Sequence, residues 1–352
     1  MKNNKYNQFS VGKLSHKFLG DLIQNFISDL GIMDKRIIMG SKIGEDAAVI
    51  DIPGDNYLVV KTDPITFATN QIGYYVVNVN VNDIVCTGAT PKWFQSTILL
   101  PEKGTDKKLI RSIFQDIHDT CRSMDIVVIG GHTEVTGGID RPIIIGNLIG
   151  EVKKENLVNT SGAEPGDNLI LTKGIFIEGT SIIAREKEDL LRKKGYKSEF
   201  IQKCKNYLFE PGISVFREAL LANHNFTLKA MHDPTEGGLA CGIAEMAIAS
   251  DTGISIDMEN INILSEPKEL SQIFNLNPLG TISSGSLLIA VEMEKDTNQL
   301  INLLQKNDIY AAKIGEFQEK EKGLQIKKED GKIEPLDYSE KDEIAKIFEM
   351  DN

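Results

Sequence analysis

Apolar and polar positions along this chain fall into blocks that switch between a two-residue and a helical period. The runs 47–52 and 57–62 are short, apolar and closed by turn residues, which predicts buried strands. Leu109, Ile110, Ile113, Phe114 and Ile117 recur at helical spacing and predict an amphipathic helix over 105–124. A strand over 125–129 is expected to stop at Gly130-Gly131, and another to cover 142–152. Val77, Val79 and Val81 alternate with Asn78, Asn80 and Asn82, which by period alone reads as a strand.

Between 156 and 167 the chain turns polar, with Ser161-Gly162 and Pro165-Gly166 as turn signals, and a domain boundary is expected there. The second half restarts with a strand at 168–172 and a glycine-punctuated loop at 173–179. A helix then runs from Glu178 into the charged stretch 185–197. Strands are expected at 226–231, 254–258, 286–293 and 311–317, with helices at 238–250 and 297–306. From Gln318 the chain is charged and reads as a surface tail. The division is therefore a domain over 1–155, a second over 156–335 and a tail over 336–352, an α/β (α+β) organisation without internal repeats.

At 352 residues, two domains can each bury a core. The net charge of −12 argues against a nucleic-acid partner, because a phosphate backbone demands a basic surface. It leaves open a nucleotide held by a local site and metal ions. Cys86, Cys121, Cys204 and Cys241 are scattered without a Cys-x-x-Cys pair, which suits a reducing compartment. Residues 1–10 lack the apolar core of a signal peptide, and no apolar run approaches the roughly 20 residues of a membrane span. The expectation is a soluble cytoplasmic protein that does not engage a membrane.

Four acidic positions stand where strands meet turns: Asp46 in Gly44-Glu45-Asp46-Ala47, Asp63 in Thr62-Asp63-Pro64, Asp83 in Asn82-Asp83-Ile84, and Asp233 in His232-Asp233-Pro234-Thr235-Glu236-Gly237-Gly238. Carboxylates so placed suit Mg²⁺ against a polyphosphate, since that ion takes one or two carboxylates and fills its octahedron with water and phosphate oxygens. The competing reading is a helix cap or turn at each. The chain has neither a Gly-x-x-x-x-Gly-Lys-Ser/Thr loop, nor a Gly-x-Gly-x-x-Gly fingerprint after a strand, nor a Gly-x-Ser-x-Gly elbow. Gly130-Gly131-His132-Thr133-Glu134 is more distinctive: paired glycines let backbone approach a ligand, with His132 and Glu134 pointing from the turn. A tight turn with a solvated His is the alternative. His118 and Cys121, three apart on the predicted helix, read as a surface His and a core Cys.

Taken in order, these segments resemble the AIR synthase (PurM-like) superfamily over about 12–317, closest in look to its hydrogenase-maturation (HypE-like) branch. The resemblance implies a two-domain fold whose N-terminal domain closes an intersubunit β-barrel with a twin in a homodimer. ATP would lie in a cleft against a C-terminal α/β sandwich domain. It implies Asp46, Asp63, Asp83 and Asp233 as metal carboxylates, and Asp63, Asp83 and His132 as catalytic groups. ATP would be bound by Lys13, Asp46, Asp63, Asn78, Asn82, Gly130, Gly131, Thr133, Glu134 and Asp233. It also makes 77–83 a helix, with Asn78 and Asn82 one turn apart on one face, and that reading is preferred over the strand. Mg²⁺ and ATP are the implied cofactors, and a small-molecule or protein-bound acceptor the partner in phosphoryl transfer. Ser283-Ser284-Gly285-Ser286 resembles a family segment without an assigned role. The chain ends Met350-Asp351-Asn352 and its last cysteine is Cys241, so the C-terminal thiol that carries the substrate group in HypE is absent.

Overall fold

The structure is a computed structural model that describes residues 14–42, 44–66, 70–339 and 341–349. Gly12 and Lys13 lie outside the described residues. The first half builds one sheet from β1 (Ile37–Met39), β2 (Ala48–Asp51), β3 (Asn56–Ile65), β4 (Thr90–Pro101), β5 (Val127–Thr136) and β6 (Ile143–Lys153), ordered β1-β2-β3-β6-β4-β5. One face of this sheet is covered by α3 (Ile72–Cys86) and α4 (Lys107–Ser123); α1 (His16–Phe26) and α2 (Ser28–Ile32) precede β1.

Helix α3 settles the conflict over 77–83 in favour of the helix. Its residues from Ile72 to Cys86 are buried almost all round, because it lies between the sheet and the second half of the chain. A helix with no wet face shows no 3.6-residue alternation of polarity, so the valines and asparagines could mimic a strand. Its approach to the sheet is close. A Cβ at Gly146 would stand 2.3 Å from Asn80 Nδ2, and one at Gly150 2.7 Å from Ile84 Cγ2. Asn80 Nδ2 donates to the Val76 carbonyl at 2.8 Å and lies 3.4 Å from the Asp63 carbonyl.

Two expectations in this half are corrected. Strand β4 was not among the predicted strands; Lys92, Gln95, Ser96 and Thr97 break its alternation, and its register shifts twice. Strand β5 does not stop at Gly130-Gly131 but runs on to Thr136, parallel to β4 with Gly131 opposite Ser96. Gly131 has φ +150°, and a Cβ there would lie 2.2 Å from the Ser96 carbonyl oxygen. Glycine is thus required for two strands to approach, not for a turn.

The second half builds a sheet from β7 (Asn168–Thr172), β8 (Ala230–His232), β9 (Gly253–Asp257), β10 (Leu288–Val291), β11 (Ala311–Gln318), β12 (Leu324–Lys327) and β13 (Ile333–Pro335). Its order is β13-β12-β9-β11-β7-β10-β8. Around it stand α5 (Ile177–Glu186), α6 (Glu188–Lys193), α7 (Ser198–Asn206), α8 (Phe216–Asn225), α9 (Gly238–Ala249), α10 (Ser265–Phe274), α11 (Glu294–Lys306) and the short α12 (Ala345–Glu349). The strand expected at 226–231 narrows to β8, and the helix into 185–197 breaks at Lys187.

The charged stretch after Gln318 is more than a surface tail. Strand β12 joins β9 in parallel, and Leu336 and Ile347 are buried in a hydrophobic cluster confined to the second half. Asp342 accepts backbone N–H groups from Gly237, Ile282 and Ile344. Spaced charges hid these few apolar anchors. One hydrophobic core serves both halves, joining Val76, Ile84 and Leu148 to Leu228, Met231 and Ile289. Among the described residues no helix is long and apolar enough to cross a membrane.

Candidate functional site

Residues of β3 alternate between the two sheet faces, so Lys61 and Asp63 point to the side that carries α3. There Lys61 Nζ lies 3.0 Å from Asp83 Oδ2 and 3.6 Å from Asp63 Oδ2. Asp83 comes from the last turn of α3 and is 6% exposed. From the second half, Asp233 follows β8 and receives the Cys86 thiol, Sγ to Oδ1 3.6 Å. His232 sits between Glu245 (Nε2 to Oε2 2.9 Å) and Asp46 (Nδ1 to Oδ2 3.8 Å). Asp46, Asp63, Asp83 and Asp233, distant in sequence, thus converge at the seam between the two halves.

The electrostatics show the crowding. Burial disfavours the Lys61 ammonium, but Asp83, Asp63 and Asp46 outweigh it and hold its pKa above the ordinary value. Burial pushes Asp83 well above the carboxylate range, against the pull of Lys61, and Asp233, Asp46 and Asp63 add to the rise. Asp233 is raised to about 7 by burial and by Asp46, with His232 and Lys61 opposing. Burial works against His232, yet Glu245 and then Asp46 bring its pKa to about 9. The Cys86 thiol is driven well above its usual value by burial and the nearby Asp233, Asp83 and Asp46. It is a donor here, not a thiolate nucleophile.

This donor set fits a hard divalent cation. Among the described residues no three His, Cys, Asp or Glu side chains form a ready cage. Mg²⁺ does not need one, because one or two carboxylates suffice when waters and phosphate oxygens complete the shell. Beyond its ion pair, Asp83 Oδ2 is buried without a hydrogen-bond partner, and so is Asn78 Oδ1 earlier in the same helix. An excess of carboxylate over ammonium in a buried seam is relieved by a bound cation.

The structure separates other predicted residues from this cluster. His132 and Glu134 pair with each other, Nε2 to Oε2 3.1 Å, and are exposed. By register they occupy the sheet face opposite α3. The row Asp63–Gly146–Ser96–Gly131 crosses three strand spacings, so β5 stands about 14 Å from Asp63. Gly130, Gly131, Thr133 and Glu134 share that distance. Asn82 is engaged between the two halves: Nδ2 donates to the Ile213 carbonyl at 2.8 Å, and Oδ1 accepts from Val215 N–H at 2.9 Å. Lys61, His232 and Glu245 are additions. Lys61 was legible, because two residues before Asp63 on a strand is the same face. Glu245 was not, since only the packing of α9 brings it to His232. The Ser283–Ser286 segment stitches loops: Ser283 Oγ accepts from Phe176 N–H at 2.9 Å and Ser286 Oγ donates to the Gly174 carbonyl at 2.6 Å.

Comparison with known proteins agrees with this architecture. The family model "AIR synthase related protein, N-terminal domain" matches residues 44–152, and "AIR synthase related protein, C-terminal domain" matches 164–327. The chain belongs to the AIR synthase-related family. Its relatives place it in the HypE-like branch. A Methanocaldococcus jannaschii protein named for hydrogenase expression/formation is 29% identical, over 90% of this chain and 91% of its own length. Carbamoyl dehydratase HypE of Cupriavidus necator is 24% identical, covering 86% of each chain. Selenide, water dikinase of M. jannaschii is 24% identical, over 91% of this chain and 93% of its own. Among solved structures, a HypE–HypF complex superposes with a TM-score of 0.71 at 21% identity, covering 91% of this chain and 100% of that one. HypE in complex with ATP gives a TM-score of 0.68 at 21% identity, covering 94% and 96%. At those identities the structural likeness establishes the PurM-like fold.

Proposed function

We propose that this protein is a Mg²⁺-dependent, ATP-binding enzyme that phosphorylates a carbonyl or amide oxygen of an acceptor and so turns it into a good leaving group. The observation that carries the reading is the convergence of Asp46, Asp63, Asp83 and Asp233 around Lys61 at the seam. Relatives named for ATP-using reactions support it: HypE has been solved with ATP, and selenide, water dikinase shares most of the chain. In this reading one or two of these carboxylates would hold each metal ion with phosphate oxygens and water, and the ion would neutralise charge on the transferring phosphoryl group. Lys61 bridges Asp63 and Asp83, offsetting their repulsion, and supplies a fixed positive charge. Asn78 offers its free acceptor to the nucleotide. Catalysis of this kind is mostly positioning and cation clamping.

The working division is a nucleotide-binding, dimerising domain over 1–155, a second domain over 156–335 and a C-terminal segment over 336–352. The acceptor comes from outside, as a small molecule or a group on another protein, because all four cysteines are buried and none is presented as a carrier thiol. A homodimer completes the picture. The face of the first sheet opposite α3 carries Leu58, Val60, Leu99, Ile145 and Ile149, all only partly buried, and a second copy would cover it. His132 and Glu134 would then serve at that subunit interface, and Lys13 is left as a phosphate partner.

The test is γ-phosphoryl release from ATP against a panel of amide, thiocarboxamide and phosphate-ester acceptors. We expect magnesium-dependent turnover with at least one, falling about 100-fold in Asp63→Asn, on the order of 3 kcal/mol. Tight Mg·ATP binding with no turnover on any acceptor would instead mark a nucleotide-binding regulatory partner.

A further inference from the structure

The residue after β7, Lys173, is nine-tenths buried and stands far in sequence from every carboxylate of the site. Its backbone has φ +54°, and its ammonium is surrounded by three acceptors. Nζ donates to the Gly212 carbonyl at 3.2 Å and the Ser214 carbonyl at 2.6 Å, and Glu218 Oε1 lies at 2.8 Å. Glu218 is itself 4% exposed at its side chain, so this is a buried ion pair and not a surface contact. Of the three donors of the ammonium, two meet these carbonyls, while Glu218 Oε1 is held by charge without a hydrogen bond of its own.

The loop that Lys173 holds has a second set of partners. Between the two carbonyls bound to Lys173, the Ile213 carbonyl accepts from Asn82 Nδ2, and the following Val215 N–H donates to Asn82 Oδ1. The loop is therefore gripped from both sides, by Lys173 of the second half and by Asn82 of α3. Asn82 immediately precedes Asp83, whose side chain is buried against Lys61. Gly285 leaves no slack behind the loop, because a Cβ there would stand 2.5 Å from the Gly212 carbonyl oxygen.

We infer that Lys173 is a positioning residue for the metal-binding carboxylate Asp83, acting through the loop at 212–215 and Asn82. The inference rests on the reading of Asp83 as a magnesium ligand. It assigns the Lys173–Glu218 pair the task of fixing the last turn of α3 against the second half, so that the carboxylate meets the ion without reorganisation. Groups that orient a metal ligand commonly change metal affinity 10- to 100-fold when removed. A pair that served only stability would leave the affinity of the folded protein alone.

The experiment is a magnesium titration of ATP binding by calorimetry on the full chain, with amide exchange at Val215 followed in parallel. Wild type, Lys173→Met, Lys173→Arg and Glu218→Gln are compared well below their unfolding temperatures. We expect the magnesium midpoint to rise about tenfold in Lys173→Met, with ATP affinity in EDTA unchanged and Val215 exchanging faster. Lys173→Arg should recover most of the shift. Glu218→Gln, which keeps the ammonium and its two carbonyls, should show a smaller shift in the same direction and serves if Lys173→Met does not fold. An unchanged midpoint in a folded variant overturns the inference, whatever happens to melting temperature or exchange. If wild type binds no ATP in the presence of magnesium, the underlying reading of the site fails first, and that is visible before any variant is made.

Discussion

Glu178 shows how single residues in this seam are set by their surroundings. It lies in the first turn of α5, 7% exposed, and burial raises its pKa from 4.5 to about 8, with Glu236, Asp342 and Asp233 adding to the rise and Ser284 opposing it. An acid that holds its proton more tightly when folded stabilises the fold fully below the unfolded pKa. That contribution is lost as pH rises from about 4.5 to about 8. Glu178→Gln removes the ionisation, so the variant should gain on wild type by a few kcal/mol, an order-of-magnitude figure, between pH 5 and pH 8.5. Denaturant unfolding at the two pH values measures it, and parallel pH dependences would count against a buried, neutral Glu178. Asp63 and Asp83 stood out in the sequence as acids expected where strands meet turns, whereas Asp63 lies within β3 and Asp83 within α3. His132 was legible as an unusual residue but not as a distant one. Its separation from Asp63 depends on strand order, which local sequence does not carry.

Among the elements, β5 and the open face of the first sheet call for a partner. Val127, Val128, Ile129 and Val135 of this edge strand are each about half exposed, and a long apolar edge invites pairing unless it is covered. In the proposed homodimer a second copy of the chain would meet that need. We expect wild type to sediment as a dimer of the 39.0 kDa chain, and Ile145→Asp, on the open face, to shift it to monomer while retaining secondary structure. A monomeric wild type at micromolar concentration would remove the dimer from the account. Helix α4 was readable in advance because its one wet face writes the period into the sequence, and β2 and β3 because short apolar runs end in turn residues. Helix α3 is wrapped on all sides and hid its period. Strand β4 carries register shifts that broke its alternation, and β12 offered four residues among many charges.

At the scale of the whole molecule, the seam is held at several independent points. Glu45 Oε1 accepts from Ser161 Oγ at 2.9 Å, and a Cβ on Gly44 would meet Ala249 Cβ at 3.2 Å. Asn223 Nδ2 reaches the carbonyls of Gly88 and Asn156 at 3.1 and 3.2 Å. With the Asn82 clamp and the shared core, these contacts hold the acidic loop of the first half against His232 and Asp233 of the second. In the proposed reading this seam is the Mg·ATP site, held in place by contacts of the chain itself. Thermal unfolding of wild type and Asp83→Asn, with and without Mg·ATP, tests that claim most directly. Ligand at about 100 times its dissociation constant stabilises the folded state by about 2.7 kcal/mol, which moves the melting temperature by several degrees. The account predicts a magnesium-dependent rise in wild type that is lost in Asp83→Asn. Equal shifts in the two proteins, or none in either at millimolar ATP, would contradict it.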